Sequence, residues 1–127
     1  IKKETVDLEE AVENIDIGGP SMIRSGAKNY QSVGVIVNPN RYDSIIEELN
    51  ANKGQLTQAT RNHLMCEAFE HTARYDTIIS SYLTKKLLKV DGEHTFPESI
   101  SPILNKVMDL RYGENPHQKA AFYKYEK

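Results

Sequence analysis

The stretch that organises this chain is residues 13–30, ENIDIGGPSMIRSGAKNY. Asp16 precedes a pair of glycines, and Pro20 follows where proline is favoured as the first residue of a helix, because its missing N–H would have no partner there. At about 100° per residue, the following polar and apolar residues fall on opposite arcs. The polar arc holds Ser21, Arg24, Ser25 and Lys28, and the apolar arc holds Met22, Ile23, Gly26, Ala27 and Tyr30. The stretch therefore predicts a short amphipathic helix with a cationic stripe.

One interpretation of this stretch is a pocket for a small anionic molecule. The start of the helix would expose free backbone N–H groups beside the Asp16 carboxylate. Lys28 lies about 12 Å from Pro20 along the helix axis. Because helical side chains lean toward the N-terminus, its ammonium can approach a ligand held near Asp16. The alternative is a tight glycine turn and a solvated lysine, and spacing alone favours this alternative.

The flanking segments predict an α/β layered domain. Residues 5–14 have the apolar spacing of a short helix, with Thr5 or Asp7 as its N-cap. Residues 33–37 form an uncharged run of mainly β-branched residues, which indicates a buried, parallel strand. Helix, turn, helix and strand in this order are typical of an α/β domain.

The second half of the chain is predicted to begin with helices. Residues 41–52 follow Asn40, which we expect to be their N-cap. Apolar residues then recur at spacings of three and four across residues 57–88, which predicts one long helix or two abutting helices capped by Thr57. Residues 100–110 are expected to be extended and to lead into a loop rich in hydrogen-bond donors.

Composition bounds the function classes. The chain has 127 residues, a formal net charge of −2 and no long apolar run. It lacks the basic field of a nucleic-acid binder and the roughly 20 apolar residues of a membrane span. We therefore expect about one soluble domain without a secretory signal. Cys66 is the one cysteine, which excludes an internal disulfide, fits a reducing cytoplasm and predicts a small buried apolar residue.

Three residues of the long helix have to be considered as metal ligands. His63, Glu67 and His71 have spacings of four and would share one face. Neither an HExxH motif nor clustered cysteine and histidine ligands accompany them. We therefore expect no metal.

Three separated motifs resemble one protein family. They are IDIGGPSMIRSGAKNY at 15–30, AFEHTARYD at 68–76 and DLRYGENPHQKAAFY at 109–123. In this order they are similar to segments of the bifunctional purine-biosynthesis enzymes. Those enzymes carry IMP cyclohydrolase and the transformylase that acts on aminoimidazole carboxamide ribonucleotide (AICAR). The resemblance covers the whole chain, but only a minor part of the family sequence.

The resemblance implies a fold and a domain division. It implies that residues 1–92 are the C-terminal part of the cyclohydrolase domain, which has a methylglyoxal-synthase-like, Rossmann-like parallel sheet, together with its helical extension. Residues 93–127 would be a linker and the start of the transformylase domain. The polar connection at residues 90–97 is the candidate boundary.

The resemblance also implies site residues. Lys28 matches the family's catalytic lysine, a proton donor or acceptor at the formyl oxygen of formyl-AICAR. Asp16 matches the aspartate that holds the carboxamide nitrogen or accepts its proton. The backbone of Ile17, Gly18 and Gly19 would line the base-binding end of the pocket. Ring closure to inosine monophosphate (IMP) requires no metal or organic cofactor.

For the second activity, the resemblance implies that Arg111 and Tyr112 contact AICAR. The co-substrate 10-formyltetrahydrofolate would bind outside this chain. Family members are cytoplasmic homodimers that act on small nucleotides and not on nucleic acid or membranes. Because further site residues of the family fall outside residues 1–127, we expect the isolated chain to have neither activity.

Two other interpretations remain open on the sequence. The chain could be a non-catalytic regulatory module of the same fold that binds a phosphorylated metabolite, which would leave the motif at 109–123 unexplained. It could also be a helical interaction segment built on residues 57–88. Loss of the long helix would then abolish association only.

Overall fold

The computed structural model describes residues 7–88 and 96–125 of the chain. Four α-helices and a β-hairpin make up the described part. In chain order they are α1 (Leu8–Glu13), α2 (Gly18–Lys28), a 3-10 turn (Pro39–Arg41), α3 (Tyr42–Ala51), α4 (Gln58–Leu87), β1 (Leu104–Leu110) and β2 (Ala120–Tyr125). The class is α/β, as predicted.

Helix α4 is one continuous helix of 30 residues, about 45 Å long at 1.5 Å per residue. Thr57 caps it, since its hydroxyl oxygen accepts a hydrogen bond from the Thr60 backbone N–H at 3.2 Å. Leu64, Ala68 and Thr72 recur every four residues and are almost completely buried. The predicted cap is confirmed, and of the two predicted arrangements the single long helix is the one observed.

Helix α2 packs against α4. Its buried residue is Ala27, at 1% exposure, and Ala68 of α4 is fully buried. Each of the two helices therefore buries a small side chain. On another side of α2, a Cβ at Gly26 would lie 2.7 Å from a methyl carbon of Val35, so the segment after α2 lies directly against this glycine. Helix α2 is therefore held by packing on two sides.

The first two helices differ slightly from the prediction. Helix α2 begins at Gly18, two residues before the expected start at Pro20. Pro20 still lies in the first turn, where a backbone N–H has no intrahelical partner. For α1 the N-cap is Asp7, without a side-chain hydrogen bond. The alternative cap, Thr5, lies outside the described residues.

The strand predicted at residues 33–37 is not formed. In the part of the chain that the structure describes, this segment is extended but pairs with no other strand. It is half-buried, and a Cβ on Gly34 would lie 2.8 Å from a methyl carbon of Leu56. The prediction was wrong for the described residues because β-branched residues favour an extended backbone, whereas a strand also needs a neighbour for its N–H and C=O groups.

The predicted N-cap of the third helix was also wrong. The Asn38 side chain, rather than that of Asn40, accepts the capping hydrogen bond, from the Asn40 backbone N–H at 3.0 Å. Pro39 follows Asn38 and starts a 3-10 turn, because its fixed φ suits the first helical residue. The turn runs directly into α3, whose first flanking residue is Arg41.

Cys66 is exposed, which corrects the expectation of a buried apolar cysteine. It lies two residues after Leu64 and two before Ala68, about 200° around the helix from each. Since those two residues are buried, Cys66 lies on the opposite, exposed face of α4.

Glu48 of α3 links this helix to the start of α4. Its carboxylate accepts hydrogen bonds from the Thr57 backbone N–H and the Thr60 hydroxyl, both at 2.6 Å. The hydrogen bond from Thr60, followed by those from Thr57, lowers the pKa of the Glu48 carboxyl. An anion therefore adds to the capping of α4 from the neighbouring helix.

We expect Glu48→Gln to remove a stabilising contribution that depends on pH. Because the folded-state pKa is depressed, this contribution is complete above the ordinary pKa, about 4.3, and is lost as pH falls through the folded-state value. Wild type should melt above the variant at pH 7, and the gap should shrink at pH 3. Circular dichroism melts of the 127-residue chain measure it, with Glu47→Gln as the matched carboxylate control. Equal gaps at both pH values would contradict the assignment.

The C-terminal unit is an antiparallel hairpin. Leu104 of β1 pairs with Tyr125 of β2, and an irregularity between Lys106 and Met108 shifts the register. The extended segment predicted at residues 100–110 is confirmed over Leu104–Leu110. The predicted domain division after residue 92 falls in the stretch that the structure does not describe.

Candidate functional site

The turn before α2 is built on the Asp16 carboxylate. Its Oδ1 accepts a hydrogen bond from the Gly19 backbone N–H at 3.0 Å. A negative charge at this position complements the partial positive charge of the helix start. A Cβ at Gly19 would lie 2.3 Å from Asp16 Oδ2, so a larger residue there would displace the carboxylate from this position. The second glycine thus lets Asp16 fold back over the helix N-terminus.

The outer side of this turn is open to solvent. Ile17 is 72% exposed, and a Cβ added to Gly18 would meet nothing within 4 Å. A ligand can therefore approach the backbone of Ile17, Gly18 and Gly19, the three positions that the resemblance assigned to binding. The open surface is compatible with that role, which stays a prediction.

Tyr75 of α4 supports the turn from behind. Its phenol oxygen accepts a hydrogen bond from the Asp16 backbone N–H at 2.9 Å, across 59 residues of sequence. From the sequence, Tyr75 in the motif at 68–76 is expected to be a packing or hydrogen-bonding position, without an identified partner. The structure shows that the motif at 15–30 and the motif at 68–76 meet at Asp16.

A second contact fixes the middle of α2. The Arg24 guanidinium lies 5.4 Å from the centroid of the Phe69 ring, within the range of a cation–π interaction. On the same helix, the hydroxyl of the buried Thr72 donates a hydrogen bond to the Phe69 backbone carbonyl at 3.2 Å. Arg24, one of the two cations of the predicted stripe, therefore makes an intramolecular contact with α4.

Lys28 is the last residue of α2 and is exposed. It lies about 15 Å along the axis from Gly18, at 1.5 Å per residue. Among the described residues no hydrogen bond or ion pair joins Lys28 to Asp16. The two predicted catalytic side chains therefore lie at opposite ends of one helix, and a ligand that uses both has to extend along it.

Arg111 and Tyr112 lie in the loop of the hairpin. Its backbone is closed by a hydrogen bond from Gly113 N–H to the Gln118 carbonyl at 2.9 Å. The Gln118 side-chain oxygen also accepts from the Asn115 N–H at 2.9 Å. Both predicted binding side chains are exposed on this ordered loop, and a nucleotide can reach them.

On the face of α4 that carries His63 and His71, Glu67 forms an ion pair with Arg41. Glu67 accepts hydrogen bonds from Arg41 Nε at 3.0 and 3.2 Å, and this contact raises the pKa of the Arg41 guanidinium. His71 borders a cavity of about 670 Å³ between α4 and the start of the hairpin. Within residues 7–88 and 96–125, no three His, Cys, Asp or Glu side chains form a group that could hold a metal.

None of the helices in the described ranges is both long and apolar enough to cross a membrane.

The fold and the two exposed loops define an α/β chain with two separate candidate sites for small polar molecules. Comparison with known proteins identifies the family. A family model described as AICARFT/IMPCHase bienzyme matches residues 26–127, so the chain belongs to this family. The resemblance found in the three motifs is thereby confirmed.

Curated relatives agree with this assignment. The chain is 54% identical over 124 residues to the bifunctional purine biosynthesis protein PurH of Acetivibrio thermocellus. It is 52% identical over 124 residues to the protein of that name from Ruminiclostridium cellulolyticum, and 54% identical over 123 residues to that from Listeria welshimeri. The matches cover 97–98% of this chain and 23% of each relative. The chain thus spans about a quarter of their length, and the regulatory-module interpretation is not favoured.

Proposed function

We propose that this chain is part of a bifunctional enzyme that formylates AICAR and then closes formyl-AICAR to IMP. The observation that carries the proposal is the turn at Asp16, in which a carboxylate lies over a glycine-bearing helix start and faces open solvent. Membership of the family supplies the substrate class. Both activities belong to the whole protein.

In the proposed ring closure, Asp16 acts at the carboxamide and Lys28 at the formyl group. The carboxamide nitrogen adds to the formyl carbon, and the resulting carbinolamine loses water. Asp16 Oδ1 is engaged by Gly19, so Oδ2 is the oxygen available to hold the carboxamide N–H. Lys28 would carry the proton to the departing oxygen, provided that the substrate extends along α2 and the lysine leans back toward Gly18.

In the proposed formyl transfer, the hairpin loop binds AICAR. The Arg111 guanidinium offers a planar pair of donors to phosphate, and Tyr112 offers a ring face and a hydroxyl. The formyl donor would be 10-formyltetrahydrofolate, bound by residues outside this chain. No metal is assigned to either reaction.

The family also suggests how the chain fits into the whole protein. We propose that residues 1–92 belong to a methylglyoxal-synthase-like domain and residues 93–127 to the start of the transformylase domain. The extended segment 33–37 would then find strand neighbours in the rest of that domain. We further propose that the whole protein is a homodimer that works in the cytoplasm.

A hybrid enzyme tests these proposals. In it, the 124 matched residues of the Acetivibrio thermocellus protein are replaced by the corresponding residues of this chain. The hybrid enzyme should convert AICAR and 10-formyltetrahydrofolate to IMP, elute as a dimer, and protect the amides of residues 33–37 from hydrogen exchange. The isolated 127-residue chain, assayed in parallel, should show neither activity. A folded hybrid enzyme that has neither activity would refute the functional proposal.

A further inference from the structure

We propose that Tyr75 is a positioning residue for the cyclohydrolase site, because its phenol oxygen fixes the backbone of Asp16 and thereby aims the carboxylate. The inference rests on the proposed function, since it assigns a supporting residue to that site. Tyr75 does not touch the substrate in this proposal. It acts through the 2.9 Å hydrogen bond from the Asp16 N–H.

The turn needs such a support because it is exposed. Asp16, Ile17 and Gly18 are all exposed, and α1 ends at Glu13, so the backbone between the two helices is irregular. Exposed loops of this kind are the most mobile parts of a fold. A carboxylate on an unsupported turn would sample several orientations, and a misplacement of about 1 Å is costly in catalysis.

Tyr75 is a rigid support. It lies in the middle of α4, three residues after Thr72, whose side chain is 1% exposed. Tyr75 itself is half-buried, and a tyrosine side chain has few rotamers. The Arg24–Phe69 contact ties the middle of α2 to the same helix. The hydrogen bond from Asp16 therefore ends on a half-buried side chain of a long helix that packs against α2.

The two hydrogen bonds of Asp16 act together. Tyr75 holds its N–H, and the Gly19 N–H holds its Oδ1 at 3.0 Å. Backbone and side chain are both constrained, which leaves Oδ2 with one preferred direction. Without the phenol oxygen, the Asp16 N–H would lose its hydrogen bond, while the bond between Asp16 Oδ1 and the Gly19 N–H would remain. The expected defect is thus a poorly aimed carboxylate in a folded protein.

The test compares four variants of the hybrid enzyme: Tyr75→Phe, Asp16→Asn, their combination, and Tyr82→Phe. Tyr82 is the matched control, because it lies on the same helix and its buried hydroxyl has no partner within the described residues. Tyr75→Phe should lower the cyclohydrolase kcat/KM roughly three- to tenfold, the worth of one hydrogen bond. Transformylase activity should stay unchanged, the melting temperature should fall by no more than about 2–4 °C, and Tyr82→Phe should match wild type.

The double variant decides whether Tyr75 works through Asp16. With Asn at position 16 there is no carboxylate to aim, so adding Tyr75→Phe should cost less than about twofold further. Hydrogen exchange gives a readout independent of activity, since the Asp16 amide should exchange faster in Tyr75→Phe and stay unchanged in Tyr82→Phe.

Three results would overturn the inference and leave the proposed function intact. The first is a Tyr75→Phe activity equal to that of Tyr82→Phe, and the second is an undiminished Tyr75→Phe loss in the Asp16→Asn background. The third is a parallel fall of both activities and of melting temperature, which would indicate a purely structural role. Full cyclohydrolase activity in Asp16→Asn alone would instead refute the assignment of Asp16, and the inference with it.

Discussion

Lys28→Met in the hybrid enzyme is expected to lower cyclohydrolase turnover by roughly 10²- to 10⁴-fold, the usual range for a general acid or base. Methionine keeps the length and helix propensity of the side chain but carries no proton to give to the departing oxygen. Formyl-AICAR conversion to IMP measures the loss, and transformylase activity should be retained. The effect should fall mainly on kcat, because the proton is needed in the transition state.

Lys85→Met is the control for this substitution. Lys85 is also exposed and lies in the last turn of its helix, α4, so both substitutions remove the same favourable interaction with a helix C-terminus. The control should therefore be as stable as Lys28→Met and fully active. A Lys28→Met enzyme with near wild-type cyclohydrolase turnover would show that the lysine has no role in the chemistry.

Arg111→Ala is expected to raise the KM for AICAR in formyl transfer by roughly 10- to 100-fold, because charge-assisted hydrogen bonds to phosphate are worth about 1.5–3 kcal/mol. Cyclohydrolase activity on formyl-AICAR should not change, since Arg111 lies on the loop between β1 and β2 and the proposed cyclohydrolase residues lie on α2 and the turn before it. Steady-state kinetics with varied AICAR measure the shift. Arg111→Lys should recover only part of the affinity, because an ammonium lacks the planar fork.

Lys119→Ala is the matched control in the same loop. Lys119 is exposed and cationic, and it lies directly before β2. If Arg111 contributes only general positive charge to the loop, the two alanine variants will raise KM equally. That outcome would contradict a specific contact between Arg111 and the nucleotide.

The two activities provide internal controls for each other. Lys28 and Arg111 belong to different units of the described chain, a helix and a hairpin loop. Each substitution should therefore impair one reaction and spare the other. A variant that lost both would point to misfolding and not to chemistry.

Local patterns in the sequence predicted the local elements well. The spacing of apolar residues and the Thr57 cap predicted α4. The amphipathic pattern after residue 20 predicted α2 within two residues of its start. Such features depend on residues within one or two turns of each other, which a single sequence displays directly.

Predictions that depended on a partner elsewhere in the chain were less successful. The run at residues 33–37 has the composition of a strand but no strand beside it in the described structure. Cys66 was predicted to be a core residue from its type, yet the buried face of α4 carries Leu64 and Ala68 instead. Composition gives a residue's preference, and packing decides whether the preference is met.

Sequence alone was sufficient to predict the family, the helices and the candidate residues Asp16, Lys28 and Arg111, because motifs and helical periodicity are short-range properties. The folded chain was needed to reveal that Tyr75 holds the backbone of Asp16 and that Glu48 adds to the capping of α4. Both contacts join residues on different elements, and hydrogen bonds form wherever folding brings a donor and an acceptor within about 3 Å. No periodicity in one sequence reports that distance.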